Sequence, residues 1–187
     1  VEVPLGQPIT VELRKPGYAP VRRTYHFDKA GELPPGSDRL ELTERQVAVS
    51  TSPSGGAVFV DGVKIGDSTV VDVTVPRAGC VLARAEKAGL IATGEKQYCN
   101  KDGSSAPPLE DVLNFPGRVV NVTAPPVARI FVNDQQAGLG RYTVKVTDKT
   151  CVNVRVEQLS FITQRRSYCS HPEDPNAAVP PIDDNII

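Results

Sequence analysis

The sequence predicts an all-β protein, a tandem array of small β-sandwich repeats of about 70 residues each, on three observations. Stretches of the chain recur at a fixed spacing. Val, Ile and Leu alternate with polar residues over short runs. Seventeen prolines and fifteen glycines interrupt almost every window long enough for a helix. With 5% aromatic residues, no Trp and no Met, the cores must be thin and built largely from β-branched side chains, which suits strands.

The repetition carries most of this. Residues 47–66 fall on 119–138 without a gap, a shift of 72 that sets Val47 on Val119, Thr51 on Thr123, Pro53 on Pro125 and Phe59-Val60 on Phe131-Val132. Asp61 falls on Asn133, its like as a tight-turn residue, and Gly66 falls on Gly138. The same shift carries Val1, Val3 and Pro4 onto Val73, Val75 and Pro76, and Lys15 and Gly17 onto Lys87 and Gly89, so the chain opens in the middle of a repeat. The expected organisation is the second half of a first repeat at 1–44, a full second repeat at 45–117, a divergent third repeat at 118–170, and a Pro-rich tail or linker at 171–187. The apolar Ile186-Ile187 ending suggests that more chain follows.

Element by element, Val11–Leu13 and Arg22–Phe27 face each other across the Lys15-Pro16-Gly17-Tyr18 bend. Gln46–Thr51 alternates with period two, and Ala57–Val60 runs into Asp61-Gly62, a strong two-residue hairpin signal. Val70, Val71, Val73 and Val75 make the next strand, and Val81–Ala85 and Gly94–Cys99 pair across Lys87-Ala88-Gly89-Leu90. Segments 28–38 and 100–111, rich in Gly, Pro, Ser and Asp, read as loops before a last short strand at Leu40–Leu42 and at Val112–Asn114. The order suggests a β meander that closes into a small sandwich.

Cys80 with Cys99, and Cys151 with Cys169, bracket equivalent hairpins symmetrically. Strands paired about the central turn set each two cysteines opposite one another, near the ~5.5 Å Cα separation a disulfide prefers. Four cysteines allow three connectivities, and the duplicated spacing selects Cys80–Cys99 and Cys151–Cys169. Pro8 and Phe27 stand at the matching places of the half-repeat, so the bridges reinforce the fold rather than define it. Disulfides point to an oxidising, extracytoplasmic compartment, the periplasm or cell surface.

Chemistry-bearing patterns are scarce. Twenty-one basic against twenty-two acidic residues suggest neither nucleic-acid binding nor polybasic attraction to membranes, and apolar runs such as Ala57–Val60 fall far short of the roughly 20 residues that span a bilayer. Only His26 and His171 are histidines, and neither a Gly-x-Ser-x-Gly nor a His-Glu-x-x-His motif occurs, so no enzyme and no catalytic residue is expected. Cysteines lack the close pairing of zinc ligands, Gly55-Gly56 precedes a strand rather than a helix, and Asp61-Gly62 lacks the carboxylate ladder of a calcium loop. No metal or cofactor is expected. Asn121-Val122-Thr123 matches a glycosylation pattern but falls on a strand and reads as chance.

Pro53-Ser54-Gly55-Gly56-Ala57-Val58-Phe59-Val60-Asp61-Gly62 with Gly66 resembles the PEGA domain signature, and the Lys15-Pro16-Gly17-Tyr18 turn of the half-repeat is similar to the Lys-x-Gly-Tyr element late in a PEGA repeat. The second repeat carries one residue more than that signature between Pro and Gly-Ala, and the third keeps Pro125 and Phe131-Val132-Asn133 without the Gly-Ala pair. The resemblance implies a bacterial or archaeal envelope or surface protein and brings no catalytic residues. Two functions follow as expectations: a structural spacer or assembly element whose partners are other envelope proteins or further copies, or an ectodomain that recognises peptidoglycan, polysaccharide or a partner protein. Positions that match between repeats are mostly apolar, Gly, Pro or Cys, which favours the spacer. The one recurring polar pattern is Arg22-Arg23-Thr24-Tyr25 with Arg165-Arg166-Ser167-Tyr168, which makes Arg22, Arg23, Arg165 and Arg166 the candidate surface-binding residues.

Overall fold

A computed structural model describes residues 6–26, 41–101, 105–170 and 182–186. Every regular element in them is a strand: β1 (Ile9–Leu13), β2 (Val21–Tyr25), β3 (Arg45–Ser52), β4 (Ala57–Val60), β5 (Val63–Gly66), β6 (Val70–Val75), β7 (Gly79–Glu86), β8 (Lys96–Asn100), β9 (Glu110–Asn114), β10 (Gly117–Thr123), β11 (Arg129–Val132), β12 (Gln135–Leu139), β13 (Arg141–Thr147), β14 (Cys151–Glu157), β15 (Gln164–Cys169) and β16 (Asp183–Asn185).

Strands β3 to β9 form one sandwich unit of two sheets, ordered β6-β3-β9 and β5-β4-β7-β8. Strands β10 to β16 repeat it as β13-β10-β16 and β12-β11-β14-β15. The half-repeat supplies the hairpin β1-β2, the counterpart of β7-β8. The expected meander is corrected in one respect: the chain changes sheet between β3 and β4, again before β6 and β7, and ends each unit on a strand parallel to its first. An inner face of alternating valines has to be covered on both sheets, and switching sheets supplies a facing partner from within some seventy residues.

The cores follow that alternation. In the first full unit Val47 and Val49 of β3 meet Val73 and Val75 of β6, with Val58, Ala83 and Ala85 from the opposite sheet, all of them 0% exposed. In the second, Val120 and Val122 of β10, Ile130, Val146 and Val154 play those parts. Each such valine contributes roughly 1.5–2 kcal/mol relative to an exposed one.

The burial pattern corrects the gapless alignment at one strand. Val47 corresponds in packing to Val120, not Val119: Val47 pairs with Val73 as Val120 pairs with Val144, a spacing of 73, whereas β4 and β11 keep 72. A one-residue slip turns a strand's faces over, so only one register buries the apolar side. The extra residue lies in the Ser52–Gly56 step, where Gly56 donates to Thr51 Oγ1 at 3.0 Å.

The hairpin signals hold. Asp61 (φ 48°) and Gly62 (φ 82°), like Asn133 (φ 47°) and Asp134 (φ 65°), take two successive left-handed conformations, the type I′ geometry that suits the strand twist. The Asp/Asn equivalence has a further cause. Asp61 Oδ1 accepts from the Leu82 N–H at 2.9 Å, and Asn133 Oδ1 accepts from the Asn153 N–H at 3.0 Å, while their own N–H groups donate back to Leu82 and Asn153 carbonyls. A short side chain with an acceptor oxygen thus ties the turn to the next strand.

Cys80–Cys99 and Cys151–Cys169 are bridged, each pair in direct register and 4.0 Å apart at Cα. That is closer than ~5.5 Å and nearer the narrow-pair spacing of an antiparallel ladder, ~4.5 Å. In the β1-β2 ladder Ile9 opposes Tyr25, so one step on sets Pro8 opposite His26 rather than Phe27, which lies outside the described residues.

Two further expectations are corrected. The Pro-rich tail does not remain a linker to its end: Asp183–Asn185 is the last strand of the second full unit, parallel to β10, and Ile186 is 1% exposed in its core. The third repeat therefore extends past residue 170. Of the expected short strand Leu40–Leu42, Glu41 and Leu42 are not strand and Leu40 lies outside the described residues; among those described, β1 and β2 are the only strands of the half-repeat.

Candidate functional site

Each full unit carries a polar clasp between its two sheets. In the first, the Tyr98 hydroxyl donates to Asp111 Oδ2 at 2.7 Å, Lys96 Nζ lies 2.6 Å from the same oxygen, and the Val112 N–H donates to Oδ1. In the second, Tyr168 donates to Asp184 Oδ2 at 2.6 Å and Arg166 Nε lies 3.7 Å from it. Residues two apart on β8 and β15 share a face, so the cation and the tyrosine reach one carboxylate on the parallel end strand. Burial would raise the Asp111 carboxyl, but the bonds from Lys96, Tyr98 and Val112 outweigh it and hold it below the usual carboxylate range. Burial first, then the Asp111 hydrogen bond and charge, pushes the Tyr98 phenol well up, and burial with Asp184 does the same to Tyr168. These phenols stay protonated as donors.

A second repeated group lies within the four-stranded sheet of each unit. Arg84 stacks 4.6 Å from the Phe59 ring and pairs with Glu86, while Arg155 stacks 4.1 Å from Phe131 and pairs with Glu157. The planar guanidinium covers the face of a half-buried aromatic ring while remaining paired.

The four candidate arginines divide on this basis. Arg166 belongs to the clasp, and Arg165, on the opposite face of β15, stands in register with Arg155 and is exposed. Arg22 lies 3.2 Å from Glu12, which Arg14 also meets at 2.9 Å, and beside them Thr10 and Thr24 share a cross-strand hydrogen bond. The Arg14 bond, then burial acting against it, then the Arg22 bond leave the Glu12 carboxyl below its usual range. Arg23 stands in register with Val11. The two arginine pairs lie on separate sheets. Among the described residues no cluster of His, Cys, Asp or Glu has the makings of a metal site, and no helix is long and apolar enough to cross a membrane.

The residues that sequence reasoning passed over are at the unit ends. The bend after β1 sets Tyr18 against Arg45 in an isolated antiparallel bridge, with Gln46 N–H donating to Gly17 O at 3.1 Å and Ala19 N–H to Glu44 O at 3.0 Å. The bend after β7 sets Leu90 against Arg118 in the same way, with Val119 N–H to Gly89 O and Ile91 N–H to Gly117 O, both 3.0 Å. Gly17 (φ 76°) and Gly89 (φ 75°) leave room at these bends: a Cβ would stand 2.5 Å from Leu109 in one and 2.8 Å from Ile182 in the other. The hairpin bend of one unit thus receives the first strand of the next, together with the residue that leads into that unit's last strand. Lys-x-Gly-Tyr was the only signal in the sequence, and it marked a turn, not a junction.

The bend after β14, Gln158–Phe161, closes with the same Phe161 N–H to Gln158 O bond at 3.1 Å. Beside it lies an open apolar hollow of about 500 Å³ lined by Pro125, Ala128, Val156, Phe161, Ile162 and Ile186.

The chain matches no protein-family model, no curated protein and no solved structure.

Proposed function

We propose that this chain is a non-catalytic spacer, a run of PEGA-like sandwich units joined end to end that projects or connects other parts of a cell-envelope protein. The observation that carries this is the recurrence of one junction: two consecutive bends hold the following strand by the same pair of backbone hydrogen bonds, with an arginine at the same bridging position. Hydrogen bonds at a junction resist bending in a way a flexible linker does not, and nearest-neighbour contacts of this kind are how repeat arrays gain stiffness. The two disulfides support an oxidising compartment outside the cytoplasm.

The test is NMR relaxation and amide exchange on the oxidised chain. A spacer gives one tumbling time for residues 45–116 and 117–170, with slow exchange at Ile91 and Val119. Independent tumbling of the two units overturns it. So does saturable, salt-tolerant pelleting with cell-wall sacculi that Arg165→Ala or Arg22→Ala abolishes, since that outcome makes the chain a wall-recognition module.

A further inference from the structure

We propose, resting on that spacer reading, that the Gln158–Phe161 bend and the hollow beside it form a receptor for one more β-sandwich unit of the same build, entering by the head of its first strand. Tyr18, Ala19, Leu90 and Ile91 occupy this position at the two earlier bends, and each is half-buried beneath the strand it receives. Their counterparts stand in the open: Phe161 is 69% and Ile162 86% exposed, next to Leu159 at 91%. Ser160 (φ 66°) keeps the left-handed conformation of Gly17 and Gly89. Among the described residues nothing pairs with the Ser160 carbonyl or the Ile162 N–H, the groups equivalent to those that hold the incoming strand elsewhere.

The hollow says what leads that strand in. Ile186 corresponds to Leu113, because Asp184 pairs with Val122 as Asp111 pairs with Val49. In the first full unit Phe115, two residues past Leu113, folds over Gly56 and is 5% exposed. Ala128 is the counterpart of Gly56, and it lines the hollow. The space is thus the seat of an apolar side chain that precedes the next unit's first strand. An arginine heading that strand would meet Phe161 as the Arg45 guanidinium meets the Tyr18 ring, at 4.0 Å.

The receptor is selective. Phe115 stands 2.7 Å from where a Gly56 Cβ would be, and Ala128 has that Cβ; Ser160 likewise has the Cβ that Gly89 lacks beside Ile182. An unaltered copy of unit 117–186 therefore fits poorly, and a unit trimmed at those two places fits.

The test appends a second copy of residues 115–186 after Ile187 of the full chain, with Phe115→Leu and Ile182→Ala in the added copy, and reads amide exchange at Ile162. Docking slows that exchange by about tenfold or more relative to the unextended chain. The untrimmed copy slows it less, and Phe161→Asp in the trimmed chain removes the effect. Disulfide mapping of the added copy establishes that it has folded. Unchanged exchange at Ile162 in a folded, trimmed chain overturns the proposal, as does slowing that survives Phe161→Asp. Ile91, at the junction already formed, reports on the spacer reading separately: slow Ile91 with fast Ile162 removes the receptor and leaves the spacer.

Discussion

The bends after β7 and after β14 are the same device in two circumstances. At Lys87–Leu90 a glycine, a half-buried leucine and two backbone bonds hold the following strand; at Gln158–Phe161 a serine and a phenylalanine, with Ile162 just past them, stand at the surface. Both bends close by the same internal hydrogen bond, so the local turn does not require a neighbour. The difference lies in what covers them, and the sequence has changed accordingly: the open bend carries more apolar surface than the covered one. An exposed apolar group of this kind marks a contact surface more often than an accident of composition.

The sharpest way to break the equivalence between junctions is at the strand each bend receives. Gly117 (φ 152°) has a Cβ position only 2.2 Å from the Val146 carbonyl oxygen, whereas its counterpart Glu44 carries a side chain. Gly117→Ala is expected to cost about 3–4 kcal/mol by urea unfolding, from strain and forced backbone displacement, and Glu44→Ala less than about 0.5 kcal/mol. Similar values for the two would mean that the head of β10 is not crowded against Val146 at Gly117.

Next come the disulfides, which close loops of nearly equal length, 19 and 18 residues apart in sequence. Replacing either cysteine pair by serine should lower stability by about 3 kcal/mol, with each loss confined to its own unit. Non-reducing peptide mapping gives the partners directly, and a Cys80–Cys151 link would overturn the hairpin register.

The smallest effects separate the two clasps. Asp111 is met by Lys96 at 2.6 Å, Asp184 by Arg166 at 3.7 Å. Asp111→Asn should cost roughly 2 kcal/mol and Asp184→Asn roughly 1 kcal/mol, read from denaturant midpoints. The pH dependence has a definite sign. Because the folded carboxyl of Asp111 lies below its ordinary value of 3.8, its contribution is present above that value and is lost as pH falls through the lowered one. Asp111→Asn should flatten acid unfolding below about pH 4; an unaltered acid limb would show that the clasp does not set it.

Much of the fold was legible because its signals are local. Asp61-Gly62 encodes a hairpin by its own conformational preferences, and cysteines spaced evenly about a turn have to meet if the strands pair at all. The candidate site was less legible. Arg166 looked like a ligand-binding residue and instead reaches Asp184, a residue in a stretch that composition marked as linker. A clasp across two sheets leaves no period in the sequence, and three residues of β16 are too few to show one.

The sequence by itself determined the strand class, the turns, the disulfide partners and the repetition of the unit, all of which follow from backbone preferences and short-range spacing. Tertiary structure decided the rest. Val119 and Val120 are adjacent and equally apolar, and only the facing sheet selects Val120 for the core. The same packing chose sheet switching over a meander and drew Ile186 into a core as the end of β16's unit. Register and coverage are properties of two surfaces in contact, and a pattern along one chain describes only one of them.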